Sequence, residues 1–376
     1  MKYLTLDDVC LLNMGQSPDS STYNEVGEGL PFYQGNADFG ERYPQCRIWC
    51  SEPTKIAEKE DVLISVRAPI GALNEAREKC CIGRGLAAIR PKGGLNKDFL
   101  YYFLLSKKSY LISKGTGSTF KAISKNVLRE LTIPVPTLQE QEKQSGILNT
   151  LWRVICKRRT QQAKLDELIK CRFVELFGDQ KMNPYGWPQT TVGNCCILKS
   201  GTSLPADKEN EGGTIPYVKV SDMNYPGNEH YITTSSRFVT EQTAGVGVFP
   251  VGTVIFPKRG GAIGTNKKRL TKLPICADLN VMGVIAGSNL ASQYLMAYFD
   301  MIDLGALDNG SSVPQINNKD IAPLPICTPP IELQEQFAAF VEKADKFKFA
   351  CFFFQLITVL QKIIIFFRNF LICFLF

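Results

Sequence analysis

Apolar positions along the chain follow two patterns. Short β-branched runs interrupted by glycine and proline, such as Val62–Val66, Leu86–Ile89 and Val254–Phe256, predict buried strands. Phe99–Leu105 and Tyr294–Phe299 have the apolar spacing of helices. The pattern therefore predicts a mixed α/β (α+β) fold in which short strands alternate with a few helices.

A much longer helix is predicted after a proline-bearing strand at Thr132–Pro136. Thr137 and Glu140 have capping-box spacing at its start, and Gly178 suits its end. Between them, residues three and four apart give a 3.5-residue period, which indicates a coiled-coil seam; an ordinary amphipathic core helix is the alternative. The seam positions are Leu148, Leu151, Ile155, Arg158, Gln162, Leu165, Ile169, Arg172 and Leu176.

The whole plan occurs twice, at a period of about 190 residues. Four pairs of segments match in the same order in both halves, which indicates a tandem duplication. They are Gly29–Tyr33 with Gly213–Tyr217, Asp61–Arg67 with Thr253–Arg259, Gly117–Ile133 with Gly310–Ile326, and Leu138–Gln141 with Leu333–Gln336. The predicted parts are a first globular domain at 1–137, a spacer helix at 138–180, a second globular domain at 187–328 and a second helix at 329–376.

Composition narrows the function. The 376 residues suggest two or three domains, and the single histidine, His230, argues against a His-based metal site or a Ser-His-Asp triad. The 13 cysteines include no C-x-x-C pair, and Asp7 and Asp8 interrupt any apolar signal core, so we expect reduced cysteines and a cytoplasmic protein. No P-loop or convincing catalytic constellation is present.

The net charge of +7 is modest, but its distribution is informative. Lys107–Arg129 and Lys258–Lys272 contain no acidic residue, and both include glycines that allow a backbone to approach phosphate. This recurrence favours DNA binding over a merely solvated basic face. Arg67 and Arg259 follow equivalent strands, where each could reach DNA or form a structural ion pair. The candidate DNA contacts are Arg67, Arg84, Lys114, Lys121, Lys258, Arg259, Lys267 and Lys268.

Local motifs add a family resemblance. Ile133–Pro136 leads into Leu138–Gln141, and Leu165–Leu168 continues through Arg172–Asp179 into Gly186-Trp187-Pro188. Second copies stand at Pro325–Ile326 and Leu333–Gln336. Together with the duplication, these motifs resemble the DNA-specificity subunit of Type I restriction–modification systems, over residues 1 to about 346.

The resemblance implies a non-catalytic subunit in which each globular half is a target recognition domain that reads one part of a split double-stranded DNA site. The two helices would pack as an antiparallel coiled coil that serves as a ruler and docks two methyltransferase subunits, which motor-nuclease restriction subunits then join. S-adenosylmethionine, ATP and Mg²⁺ would belong to those partners, with no cofactor in this chain. The helix residues assigned to this packing are Leu148, Leu151, Ile155, Leu165, Ile169, Leu176, Leu333, Phe337 and Phe340.

The sequence departs from the family after about residue 346. Residues 347–376 hold ten of the 23 phenylalanines, and residues 346–376 contain no acid. A membrane anchor, an unusually apolar packing helix and a shifted reading frame near Phe347 are the three interpretations, of which we favour the last. The membrane anchor is disfavoured because polar and charged residues interrupt the apolar run: Gln355, Gln361, Lys362, Arg368 and Asn369. The alternative function is a coiled-coil interaction scaffold with a C-terminal membrane anchor; we expect no membrane partner.

Overall fold

The computed structural model describes residues 2–117, 121–307 and 313–348. It divides into two compact units, which among these residues comprise 2–158 (unit 1) and 159–348 (unit 2). The phenylalanine-rich tail, apart from its first two residues, and the interpretations attached to it lie outside the described residues.

Unit 1 holds the first set of predicted strands and helices. Its strands are β1 (Lys2–Thr5), β2 (Cys10–Met14), β3 (Tyr23–Asn24), β4 (Leu30–Tyr33), β5 (Trp49–Cys50), β6 (Ile56–Ala57), β7 (Val62–Ser65), β8 (Leu73–Glu75), β9 (Cys80–Ile82), β10 (Leu86–Pro91) and β11 (Thr132–Val135). Its helices are α1 (Leu6–Val9), α2 (Lys97–Ser106), α3 (Lys108–Ser113), α4 (Lys125–Arg129) and the first half of α5 (Leu138–Phe177).

The strands of unit 1 form an antiparallel sheet in the order β2-β10-β7-β8 and a second sheet in the order β3-β5-β4-β9-β6. Within the second sheet β4 runs parallel to β9, so Phe32 lies opposite Cys81. The helix α2 covers the first sheet, and its apolar side chains share a buried cluster with Val62 and Ile64. Both faces of β7 are therefore covered, and all four of its residues are buried. This explains why apolar and polar residues do not alternate along Val62–Ile64, as they would in a strand with one face in water.

Unit 2 repeats these elements. Its strands are β12 (Gln189–Thr191), β13 (Cys196–Ser200), β14 (Ile215–Val218), β15 (Tyr231–Ile232), β16 (Phe238–Val239), β17 (Val254–Pro257), β18 (Arg269–Thr271), β19 (Cys276–Ala277), β20 (Val281–Ala286) and β21 (Pro325–Cys327). Its helices are the second half of α5, α6 (Val192–Cys195), α7 (Glu241–Ala244), α8 (Ser292–Asp300), α9 (Asn318–Ile321) and the helical residues 331–348, here α10.

The sheets of unit 2 reproduce the pairing of unit 1. The order β13-β20-β17-β18 corresponds to β2-β10-β7-β8, with β15 added at the edge, and the parallel pair β14–β19 corresponds to β4–β9. The pair β12–β21 precedes α10 as β1–β11 precedes α5. The chain is therefore mixed α/β in content, with the duplicated plan that its sequence indicates.

The long helix α5 begins and ends where its caps predict. The Thr137 Oγ1 donates to Glu140 Oε2 at 2.9 Å, and the Glu140 N–H donates back to Thr137 Oγ1 at 3.3 Å. Gly178 adopts a φ of 72°, and a Cβ there would lie 2.5 Å from Pro184 Cγ, so a left-handed glycine ends the helix.

The buried face of α5 in unit 2 includes predicted seam positions, but its most deeply buried residues lie beside them. Its fully buried side chains are Phe173 and Phe177, whereas the seam positions Ile169 and Leu176 are only partly buried. The helix α10 begins at residue 331, two residues after the predicted start at 329, directly after two prolines. On α5, Phe173 and Phe177, which the 3.5-residue period does not include, are more deeply buried than the seam residues beside them.

Within the described part of the chain, no helix is long and apolar enough to cross a membrane. The cysteines described there are free and mostly buried, and the adjacent Cys195 and Cys196 sulfurs lie 3.9 Å apart without a bond. Burial raises the pKa of the Cys10 and Cys80 thiols to about 12. These thiols stay protonated at neutral pH and pack as small apolar side chains.

Candidate nucleic-acid interface

Arg67 and Arg259 occupy the same position in their units. Each follows the central strand of its sheet, is exposed, and pairs through an antiparallel bridge, Arg67 with Ala122 and Arg259 with Gln315. In the described ranges neither arginine belongs to an ion pair, and Arg259 makes only a long 3.4 Å contact from Nη2 to Gln315 Oε1. Both guanidinium groups are therefore available to an external acceptor.

Arg84 is brought to the same end of the unit 1 sheet by a tight turn. It is exposed between Gly83 and Gly85, and the Val66 N–H donates to Gly85 O at 2.9 Å. A Cβ on Gly85 would lie 2.5 Å from Gln34 O, so a larger residue would displace the turn. Because Val66 immediately precedes Arg67, this hydrogen bond places the two arginines on adjacent backbone segments.

Lys121 and Lys114 belong to the segment that pairs with Arg67. Thr116 and Ala122 exchange two backbone hydrogen bonds of 3.0 and 2.9 Å, and Ile123 N donates to Val66 O at 2.9 Å. Lys121 is exposed beside Ala122, and Lys114 is exposed with its Nζ 5.4 Å from the Tyr110 ring centre. The structure thus collects the four predicted basic residues of unit 1 around one end of the sheet.

In unit 2, Lys258 and Lys267 flank the segment that joins β17 to β18. Lys258 is partly buried and its Nζ donates to Ser200 Oγ at 2.8 Å; burial, followed by the nearby Arg259 charge, lowers its pKa. The Lys267 Nζ donates to Asn224 Oδ1. Gly260, with a φ of 74°, donates its N–H to Pro314 O at 2.8 Å and so holds the segment against the backbone beside Arg259.

Lys268 differs from its neighbours, since its side chain is buried. Its Nζ donates to Ile302 O at 2.6 Å and to Asn266 Oδ1 at 2.8 Å, and only 4% of the residue is exposed. Burial lowers the pKa of Lys268 to about 8. The ammonium points inward, so the candidate DNA surface omits Lys268. The sequence shows only a run of basic residues. It does not show that Lys267 and Lys268, just before β18, point to opposite sides of the strand.

Two buried glutamines, Gln141 and Gln334, join the helices to the globular parts. The charge pattern and the motifs predict no role for either side chain. In unit 1, Gln141 Oε1 accepts from the Asn96 N–H at 2.7 Å, while Gln141 Nε2 donates to Gly94 O and Pro136 O, both at 2.9 Å. Gln334 makes the corresponding contacts with Ala291, Asn289 and Pro329. The sequence feature that could have indicated them is the Leu-Gln-Glu-Gln segment, which occurs near the start of both helices.

These contacts also correct the alignment of the two helix starts. Matching Leu138–Gln141 with Leu333–Gln336 places equivalent residues 195 positions apart, whereas Gln141 and Gln334 are 193 apart. The identical four-residue strings are therefore not structurally equivalent. Here the shared hydrogen-bond partners, rather than the identical amino-acid sequence, show which residues of the two units are equivalent.

Within unit 2, α5 and α10 lie side by side and run in opposite directions. The Phe337 ring lies 5.5 Å from that of Phe173, and farther along Lys348 Nζ lies 2.8 Å from Asp166 Oδ1. Residue numbers thus rise along α10 as they fall along α5. Phe337 is fully buried, while the predicted packing residues Leu333, Phe340 and Leu165 are partly buried.

The remaining helix residues of the predicted packing set are also placed. Leu148 packs against the apolar cluster of unit 1, Leu151 is partly buried, and Ile155 is 41% exposed. Over the described ranges no group of His, Cys, Asp and Glu side chains has the arrangement of a metal site.

Comparison with known proteins follows the same duplication. The sequence profile of the Type I restriction modification DNA specificity domain matches residues 1–165 and again residues 184–351. A specificity subunit of a putative type I restriction enzyme, MjaX of Methanocaldococcus jannaschii, is 42% identical over 158 residues, which are 42% of this chain and 37% of that protein. The match thus spans well under half of that relative.

Two further proteins match over more of the chain. The MjaIX specificity subunit of the same organism is 25% identical over 313 residues, covering 77% of this chain and 71% of that protein. The crystal structure of a Type I restriction–modification S subunit from M. genitalium aligns with a TM-score of 0.55 at 17% identity, covering 96% of this chain and 95% of that one. At that identity the structure supports the fold alone.

Proposed function

The chain belongs to the family of Type I restriction–modification DNA specificity proteins, and from this premise we propose that it is a non-catalytic subunit that recognises a split DNA site. Each unit reads one part of the site through the end of its sheet at which Arg67 or Arg259 lies. The observation that carries the proposal is the equivalence of these two exposed, unpaired arginines within the described ranges.

Physical chemistry supports an arginine at this position. A guanidinium offers a planar fork of donors that matches the two acceptors of guanine in the major groove or the oxygens of a phosphate. Exposed lysines nearby supply phosphate contacts without sequence information. An exposed arginine with lysines near it, as in each unit, suits a domain that must bind the phosphate backbone and also recognise bases of duplex DNA.

The helices supply the second part of the proposal. We expect α5 and α10 to form an antiparallel coiled coil that spaces the two recognition units and binds two copies of a methyltransferase subunit, to which restriction subunits attach. The 40 residues of α5 span about 60 Å at 1.5 Å per residue. That length exceeds the roughly 34–36 Å between successive major-groove faces, so recognition parts mounted near its ends can reach separate grooves.

The chemistry of the complex would then lie elsewhere. S-adenosylmethionine, ATP and Mg²⁺ would act on the partner subunits, and the complex would work on DNA in the cytoplasm. This chain would contribute the choice of site.

Arginine substitutions in the assembled complex test the proposal. The chain, purified with its co-expressed methyltransferase subunit, should protect two short DNA blocks separated by a fixed gap. Arg67→Ala should weaken protection of one block and Arg259→Ala that of the other. Lys59→Ala, an exposed lysine at the opposite end of β7, is the matched control and should change neither. Loss of neither block in either arginine variant would contradict the assignment.

A further inference from the structure

Arg42 stands at the centre of a polar network that the DNA-binding proposal does not use. It lies in the turn before β5, and its side chain is 14% exposed. The guanidinium Cζ sits 3.7 Å above the Tyr101 ring centre of α2. Its Nη2 donates to Asp98 Oδ1 at 2.7 Å and its Nε donates to Glu75 Oε2 at 3.3 Å. One side chain therefore contacts the sheet, through Glu75 of β8, and the helix α2.

The network continues from α2 to the spacer helix. The other oxygen of Asp98 accepts from Asn149 Nδ2 of α5 at 2.7 Å, and Asn149 Oδ1 accepts from Tyr102 Oη at 2.8 Å. Arg42 is thus linked to α5 through a single carboxylate. The hydrogen bonds are part-buried, and those to the Asp98 carboxylate are charge-assisted, so the link is directional as well as attractive.

The backbone around Arg42 is tied to the strands that carry the DNA-facing arginine. The Glu75 N–H donates to Arg42 O at 2.9 Å. The Asn74 side chain accepts from the Gly40 N–H at 3.1 Å and donates to Gly40 O at 3.0 Å. Since β8 pairs with β7, and β7 leads to Arg67, the segment around Arg42 and the segment that carries Arg67 belong to one hydrogen-bonded set of strands.

Unit 2 makes a connection at the corresponding position with different side chains. The Leu270 N–H donates to His230 O at 3.1 Å, as Glu75 does to Arg42, so His230 takes the place of Arg42. The next residue, Tyr231, donates through its hydroxyl to Asp345 of α10 and accepts from Gln293 Nε2 of α8 at 3.2 Å.

Asn96 and Ala291 are equivalent, because each donates its N–H to the buried glutamine of its unit. Asp98 of α2 and Gln293 of α8 each lie two residues farther along, so they correspond. In both units, side chains beside the corresponding strand, β8 or β18, are linked to a short helix and to a long one. The link to the long helix passes through Asp98 in unit 1 and comes directly from Tyr231 in unit 2.

We propose that Arg42 is a positioning residue that fixes the orientation of the unit 1 sheet on α5 and thereby determines which gap length the DNA-binding complex accepts. The inference rests on the proposed function. A lysine could keep the charge, but it has neither the fork that reaches Asp98 and Glu75 together nor the flat face that stacks on Tyr101. Without the arginine, the sheet would keep its fold and sample a wider range of angles on the helix.

The test is a gap-length series with the chain assembled with its methyltransferase subunit. DNA carrying the two selected blocks at the preferred gap, one base pair shorter and one longer is compared for binding. Wild type should discriminate strongly among the three. Arg42→Gln and Arg42→Lys should reduce that discrimination at least tenfold while base preferences within each block remain unchanged. Asn149→Ala breaks the link on the helix side only and should have the same effect, which covers the case in which an Arg42 variant does not fold.

Arg90→Gln is the matched control. Arg90 makes a two-point ion pair with buried Asp61, at 2.7 and 2.9 Å, in the same sheet but with no link to α5. It should leave the gap preference intact. Unchanged gap preference in the Arg42 and Asn149 variants, or equal broadening in Arg90→Gln, would overturn the inference while leaving the proposed function standing. If the wild-type complex selects no spaced site, the proposed function fails, and this inference fails with it.

Discussion

Gln141 and Gln334 are buried 193 residues apart, each at the start of a long helix, and their side chains make the same three hydrogen bonds. Each amide accepts from the N–H that opens a short helix and donates to two carbonyl oxygens, one in the loop before the short helix and one in the loop before the long helix. A globular part and its spacer helix are thereby joined through one side chain in each unit. The relationship is direct structural evidence for the duplication.

Replacing either glutamine should destabilise its own unit. Gln141→Ala leaves one part-buried N–H and two carbonyl oxygens without this partner, and we expect a loss of about 2–3 kcal/mol in the free energy of unfolding. Gln139→Ala, at an exposed position of the same helix turn, should change it by less than about 0.5 kcal/mol. Urea denaturation of the three proteins measures the difference, and equal midpoints would show that the buried amide contributes nothing.

The aromatic packing between α5 and α10 predicts unequal effects for two phenylalanines on α10. Phe337 is fully buried against Phe173 and Phe177, so Phe337→Ala should cost about 3–5 kcal/mol. Phe347 is 58% exposed, so Phe347→Ala should cost little. Thermal unfolding of unit 2 distinguishes them. A similar loss from both substitutions would contradict the packing.

The buried ammonium of Lys268 predicts a pH effect on stability. Its pKa falls from 10.5 to about 8 in the folded chain, because burial penalises the charged form. Between pH 8 and 10.5 the unfolded chain binds the additional proton, so stability rises with pH in this window. Relative to Lys268→Met, wild type should gain up to about 3 kcal/mol as pH increases from 8 to 10.5. A pH-independent difference between the two proteins would argue against the buried position.

Salt dependence separates phosphate contacts from base reading. If Lys121 neutralises one phosphate, Lys121→Ala should weaken binding to all DNA sequences alike. The slope of log affinity against log salt concentration should also decrease by about 1. Arg67→Ala, if Arg67 contacts a base edge, should instead relax the preference at one or two base pairs. Titrations at several salt concentrations measure both, and a sequence-selective effect of Lys121→Ala would reverse these roles.

Much of the fold can be predicted because local rules suffice for it. The β-branched runs identify β7, β10 and β17, and the Thr137–Glu140 capping box identifies the start of α5. The duplication places Arg67 and Arg259 at equivalent positions, since they follow the equivalent strands β7 and β17.

Long-range contacts decide what the sequence leaves open. Lys268 is buried next to a partly buried Lys267, and the difference depends on where Ile302 O lies, 34 residues away. The burial of Phe173 and Phe177 depends on Tyr294 and Phe337 from distant segments. The importance of Arg42 requires Asp98 and Asn149 to be brought together, which no local pattern announces.

Selection from random-sequence DNA tests the central claim most directly. The chain, assembled with its methyltransferase subunit, is incubated with a random duplex library, and the bound DNA is sequenced. Enrichment of two short blocks at one fixed separation, with one block altered by Arg67→Ala and the other by Arg259→Ala, is the predicted result. Enrichment of a single continuous block, or no enrichment at all, would contradict the account.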